Sequence, residues 1–151
     1  MLSAYRELAA AREAQGVPAL PLNAEQTQGL TELLQSPPAG EEEFLLNLLS
    51  ERIPPGVDEA AYVKATWLNA VAQRDAKSPL VSPLEATRLL GTMVGGYNVA
   101  ALIEMLKHSD AALAGCASEG LSRTLLVYDA FNEVMVHYFV ECVVDLSLIH
   151  I

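Results

Sequence analysis

Three side chains near the C-terminal end have the types and the spacing to do chemistry together. Glu133, His137 and Glu141 stand four residues apart, so one face of a helix would present carboxylate, imidazole and carboxylate. Such a face could contribute ligands to a metal ion or supply a general acid and base. A single face offers too few ligands for a closed metal site, and no second cluster accompanies it. We therefore favour a solvated polar stripe, with a small metal-dependent enzyme as the alternative.

A second candidate is the turn Gly95–Asn98, with the sequence GGYN, which precedes a predicted helix. The free N–H groups and dipole of a helix start could hold an anion there. No lysine or arginine adjoins the turn, and it lacks the GxGxxG pattern of dinucleotide-binding turns. A tight turn between two packed helices is the favoured interpretation.

The remaining reactive side chains are few. Cys116 and Cys142, both flanked by apolar residues, are predicted to be buried, inert thiols. Two cysteines cannot form a self-contained cysteine-ligated zinc or iron–sulfur site. His108 is predicted to follow a helix end, where the dipole would favour an imidazolium, and no role is predicted for His150. No catalytic, cofactor-binding or metal-binding residue is therefore assigned.

Two aromatic residues, Tyr62 and Trp67, are predicted to lie on one face of the same helix. The sequence favours a place for both in the core or in a seam between helices. The functional alternative is that they anchor a partner protein, because aromatic residues dominate the energetics of protein interfaces.

Composition sets the class of protein. The chain has 151 residues, 52% of them apolar, which suits one folded domain and excludes a disordered chain. Its net charge of −10 argues against binding to nucleic acid or anionic lipid. No targeting segment is recognisable, and acidic residues interrupt the longest apolar stretch, so no membrane span is predicted. The sparse cysteines suit the reducing cytoplasm.

Helix signals dominate the elements that would position these residues. Asn23 and Gln26 form a capping-box pattern, and Ser82-Pro83 with Glu85 is a strong helix start. Eight helices are predicted, starting near Ser3, after Asn23, at Glu41, after Asp58, after Ser82, near Tyr97, after Asp110 (a short helix) and near Glu119.

The spacing of the early helices predicts their arrangement. Starts near 24, 41 and 58 recur about every 17 residues, so two helices occupy about 34 residues, as in stacked helix pairs. The predicted fold is all-α, a HEAT-like array of antiparallel helix pairs resembling an α-solenoid. A compact helix bundle is the alternative.

Five blocks of sequence also resemble the N-terminal region of the bacterial aconitase B family. They occur in the family's order and extend the resemblance from about Met1 to Glu133. The blocks are 37–46 (PPAGEEEFLL), 54–65 (PPGVDEAAYVKA), 77–80 (KSPL), 89–93 (LLGTM) and 95–98 (GGYN).

The resemblance implies a HEAT-like helical domain that precedes the catalytic domains of an aconitate hydratase and 2-methylisocitrate dehydratase. The family's [4Fe-4S] cluster and its citrate contacts come from later domains, so no such residue is carried over to this chain. The implied function is non-catalytic: docking on the catalytic domains and formation of a homodimer. A free-standing acidic helical scaffold for an unrelated protein is the alternative.

The resemblance also divides the chain. Residues 1–134 are expected to form the HEAT-like domain of a truncated aconitase B. Residues 135–151 depart from the family, because no basic residue follows Arg123 where a lysine-containing helix is expected. This segment is interpreted as a divergent, non-native C-terminal tail, foreign to the family.

Overall fold

The computed structural model describes residues 1–124 and 129–148, with side chains described as far as residue 139. The described residues contain eight helices joined by loops and no strand, which confirms the all-α prediction. The helices are α1 (Leu2–Glu13), α2 (Ala24–Gln35), α3 (Glu42–Glu51), α4 (Glu59–Ala72), α5 (Pro83–Leu90), α6 (Val99–Leu106), α7 (Ala111–Ser122) and α8 (Asp129–Leu148).

Side-chain caps fix where several helices begin. The Asn23 Oδ1 atom accepts a hydrogen bond from the Gln26 N–H at 2.8 Å, and Gln26 Oε1 accepts one from the Asn23 N–H at 3.1 Å. Asp58 caps α4 in a similar way, at 3.1 Å from the Ala61 nitrogen. Ser82 caps α5, with Pro83 as its first residue. The predicted starts of α2, α4 and α5 are thereby confirmed, because each cap satisfies an N–H group that lacks an intrahelical partner.

The helices pack in a serial order. From one end the neighbours are α3, α2, α4, α5, α7, α6 and α8, and one continuous apolar core runs through them. The first helix joins this body through the Tyr5 hydroxyl, which donates to the Leu20 carbonyl at 3.0 Å, and through an ion pair between Arg6 and Glu41. This order agrees with a helical array, and the solenoid-like arrangement itself stays a prediction.

The predicted boundary between the last two helices is wrong. The helix after Asp110 is not short: α7 contains Glu119 and ends at Ser122, and α8 begins only at Asp129. Alanine, glycine and serine make up most of α7, so its apolar pattern is too weak to reveal its length. Residue 120, inside this helix, is glycine because the end of α5 lies close by: a Cβ atom on Gly120 would lie 3.0 Å from the Cα of Gly91.

The proposed boundary at residue 134 falls within α8, which is one continuous helix. Val134 and Ala130 face the core, whereas Phe131, Met135, Val136, Tyr138 and Phe139 are exposed. A helix with an apolar outer face is either buried against another protein surface or promotes aggregation in water. We keep the assignment of 135–151 to a foreign tail as a proposal.

Deleting residues 135–151 should improve solubility and leave the rest of the fold intact, because the described apolar side chains removed are exposed. Thermal unfolding followed by circular dichroism, together with sedimentation at rising concentration, measures both effects. Truncated and full chains should melt within a few degrees of each other, and only the full chain should aggregate. A broad, non-cooperative melt of the truncated chain would show that the tail belongs to the core.

Candidate interaction surface

Two loops, 53–58 before α4 and 91–98 before α6, meet backbone to backbone, and we call this junction the clamp. A Cβ atom on Gly95 would lie 1.9 Å from the Gly56 carbonyl oxygen, so only glycine fits there. Beside this contact the Val94 N–H donates to the Pro55 carbonyl at 2.9 Å. The two loops are therefore joined directly through their backbones.

Asn98 fixes the conformation of the 91–98 loop. It is fully buried, and its Nδ2 atom donates to the carbonyls of Leu90 at 2.8 Å and Met93 at 3.1 Å. Gly96 has a φ of +90°, a left-handed conformation that glycine adopts without steric cost. The interpretation of Gly95–Asn98 as a tight turn between packed helices is confirmed. The Asn98 side chain ties the loop together and does not cap α6.

The outer side of the clamp is apolar. Val57, Tyr62, Val94 and Tyr97 are all exposed there, with Val57 and Val94 at 73% and 76%, and we call them the clamp patch. The rings of Tyr62 and Tyr97 meet edge to face with centroids 5.4 Å apart. The Tyr97 hydroxyl donates to the Val57 carbonyl at 3.0 Å. Three of the four residues are thus joined by direct contacts, and Val94 belongs to the same tied pair of loops.

The pairing of Tyr62 with Trp67 on one helical face is wrong. Trp67 is buried, as predicted for a core residue, whereas Tyr62 is 56% exposed. Five residues on a helix correspond to a rotation of about 140°, which places the two rings on different faces. The alternative interpretation, an aromatic anchor for a partner, therefore applies to Tyr62 alone.

The face of Glu133, His137 and Glu141 does not assemble into a metal site in the described structure. Glu133 forms an ion pair with Lys107, and the His137 ring packs edge to face on Tyr138 at 6.0 Å. The Glu141 side chain lies outside the described residues. Within the described part of the chain, no group of three or more histidine, cysteine or acidic residues is suitably placed for a metal ion. The ion pair fits the favoured interpretation, a solvated polar stripe.

The surroundings of Cys116 and His108 indicate structural roles for both residues. Cys116 is partly buried, and burial raises the pKa of its thiol, which makes it a poor nucleophile. His108 accepts a hydrogen bond at Nδ1 from the Asp110 N–H at 3.0 Å. This hydrogen bond helps to shape the turn before α7. The predicted effect of the helix dipole on His108 stays a prediction. Cys142 and His150 lie outside the residues whose side chains are described.

One buried charge was not predicted from the sequence. Lys64 on α4 is 2% exposed, and burial lowers the pKa of its ammonium group from 10.5 to about 8, with Glu51 opposing that change. Lys64 lies three residues after Ala61 and four before Leu68, both fully buried. This position on the apolar stripe of α4 is a sequence signal that could have predicted the burial of Lys64.

No helix in the described part of the chain combines the length and the apolar character that crossing a bilayer requires.

The family model and the similar proteins all indicate the same family. The family model described as Aconitate B N-terminal domain matches residues 4–140. Aconitate hydratase B of Pseudomonas aeruginosa is 60% identical over 134 residues, which cover 89% of this chain and 15% of that protein. Aconitate hydratase B of Escherichia coli is 57% identical over 134 residues, with the same coverage of each chain. The Helicobacter pylori protein is 43% identical over 133 residues, or 88% of this chain and 16% of its own.

Proposed function

Because the chain belongs to the Aconitate B N-terminal domain family, we propose that it is the helical interaction domain of an aconitate hydratase. The observation that carries this proposal is 60% identity over 134 residues with a protein of that name. The chain spans about 15% of the length of the curated relatives that it matches. The proposed whole protein interconverts citrate and isocitrate through cis-aconitate in the cytoplasm.

Within that protein we assign the domain a non-catalytic role. Its contribution is to dock on the catalytic domains and to join two copies of the enzyme into a homodimer. The exposed aromatic residues of the clamp patch support an interaction role, because tyrosine is enriched among residues that dominate protein interfaces. A free-standing scaffold for an unrelated protein is not favoured by the relatives.

The iron–sulfur cluster implied by the family does not fit the residues of this chain. Such clusters are held by several cysteine thiolates, and the chain has only Cys116 and Cys142. Burial of Cys116 disfavours its thiolate, whereas a metal-ligating thiol is deprotonated. We therefore place the cluster and the chemistry that it performs in the remaining domains.

Docking can be tested by titrating this chain into Pseudomonas aeruginosa aconitate hydratase B that lacks the aligned region. We expect weak binding, because a tether supplies an effective concentration of ~1 mM and a Kd of ~100 µM would keep ~90% of the domains docked. Calorimetry gives the affinity, and the rate of citrate turnover reports the effect on the enzyme. An unrelated acidic helical protein of similar size is the control.

Self-association of the chain is measured alongside this titration. It should appear only at high protein concentration and strengthen with added salt, because two copies of net charge −10 repel each other and salt screens the repulsion. Absence of binding at every accessible concentration, with unchanged turnover, would favour the unrelated scaffold instead.

A further inference from the structure

We propose that the clamp patch, where Tyr62 and Tyr97 meet beside Val57 and Val94, is the surface by which this domain docks on the polypeptide that follows it. This inference rests on the proposed function and assigns its contact surface. The occupant is the catalytic part of the same longer protein, which contacts the patch through apolar side chains bordered by basic ones.

The patch is already ordered before any partner arrives. Gly95 and Gly56 are in direct backbone contact, and Val94 is tied to Pro55. The Tyr97 ring is held by its hydrogen bond to Val57 and by the edge of Tyr62. Binding to such a surface loses little side-chain or loop entropy, so even a small contact area can hold a tethered partner.

Charge around the patch indicates the chemistry of the occupant. All four patch residues are uncharged, and Asp58 and Glu59 border them at the exposed start of α4. An occupant with an apolar centre would exclude water from the tyrosines, and basic groups at its edge would meet the two carboxylates. A second copy would instead bring the same acidic border and a net charge of −10, which opposes pairing through this face.

The course of the chain also favours an occupant on the same polypeptide. Tyr97 lies just before α6, and α8, the last helix described, packs on α6. The relatives extend far beyond the aligned region, which is about 15% of their length. An occupant on the same polypeptide is tethered to the domain, which gives it a high effective concentration at the patch.

Val94→Lys tests the assignment, because Val94 is the most exposed apolar residue of the patch and a lysine there would bring charge to the apolar contact. In the titration described above, this variant should bind the remaining domains at least ~10-fold more weakly than the unchanged chain. Tyr62→Ala should weaken binding as well. Leu8→Lys, which adds the same charge at an exposed position on α1, should bind as the unchanged chain does.

The outcomes separate the two proposals. If the unchanged chain binds and Val94→Lys and Tyr62→Ala bind equally well, the clamp patch is not the docking surface, although the proposed function stands. If the unchanged chain does not bind, both proposals fail. Loss of self-association with docking retained would make a second copy the occupant and overturn the assignment. Thermal melts of all variants should coincide within a few degrees, which excludes unfolding as the cause.

Discussion

Gly95→Ala should destabilise the domain by about 3 kcal/mol, near the upper end for overpacking a close contact. The new methyl carbon would lie 1.9 Å from the carbonyl oxygen of Gly56 and 2.3 Å from its carbonyl carbon. Both are backbone atoms, so the two loops must separate. That movement also loosens the hydrogen bond from the Val94 N–H to the Pro55 carbonyl. Urea unfolding of the variant and the unchanged chain measures the difference in the free energy of unfolding.

Two other glycines provide matched controls. A Cβ atom on Gly56 or Gly115 would meet nothing within 4 Å, although Gly56 lies at the same contact as Gly95. Gly56→Ala should leave stability nearly unchanged. Gly115→Ala, inside α7, should raise stability by up to ~1 kcal/mol because alanine favours the helix. Equal stability of Gly95→Ala and Gly56→Ala would disprove the close backbone contact.

Lys64→Met should stabilise the domain by up to roughly 3 kcal/mol at pH 7, the free energy that corresponds to a pKa lowered from 10.5 to about 8. Methionine keeps the length of the side chain and removes the buried charge. Because the folded-state pKa lies below the unfolded value, the unfolded chain binds more protons between pH 8 and 10.5. The unchanged chain therefore gains stability as pH rises through that window. The advantage of the variant should be greatest below pH 8 and vanish above about pH 10.5.

Unfolding measured in denaturant from pH 6.5 to 10.5 checks this prediction. Lys77→Met is the control, because Lys77 is exposed and the variant has the same net charge. The stability of Lys77→Met should follow that of the unchanged chain at every pH. If the advantage of Lys64→Met over the unchanged chain does not change with pH, the gain comes from packing and not from removal of a buried charge.

Local chemistry made much of the fold predictable. The caps at Asn23, Asp58 and Ser82 act within three residues, so sequence alone locates these helix starts. The boundary after α7 was not predictable in the same way, because α7 consists mostly of alanine, glycine and serine and shows only a weak apolar pattern. The need for glycine at position 120 depends on its close contact with Gly91, which is distant in sequence.

The candidate surface likewise depends on contacts between residues that are distant in sequence. The glycine-rich turn at Gly95–Asn98 was predictable as a turn, yet nothing near it in the sequence indicates that Gly56 is its partner. Tyr62 was assigned with Trp67 because both are aromatic, although their spacing of five residues already separates the two faces. The resemblance to a family supplied the expected function, and the tertiary contacts supplied the surface through which it would act.

The serial packing of the helices has a consequence for how the protein is made. Each helix contacts others that are near it in the chain, for example α4 with α5 and α6 with α7. Such a topology has low contact order and favours folding in milliseconds or less. A ribosome needs roughly a second to add each helix, so every new segment can find its neighbours as it emerges. If the whole protein is as long as its relatives, we expect this domain to fold while most of the polypeptide is still unsynthesised. The clamp patch would then be formed before its binding partner has been made.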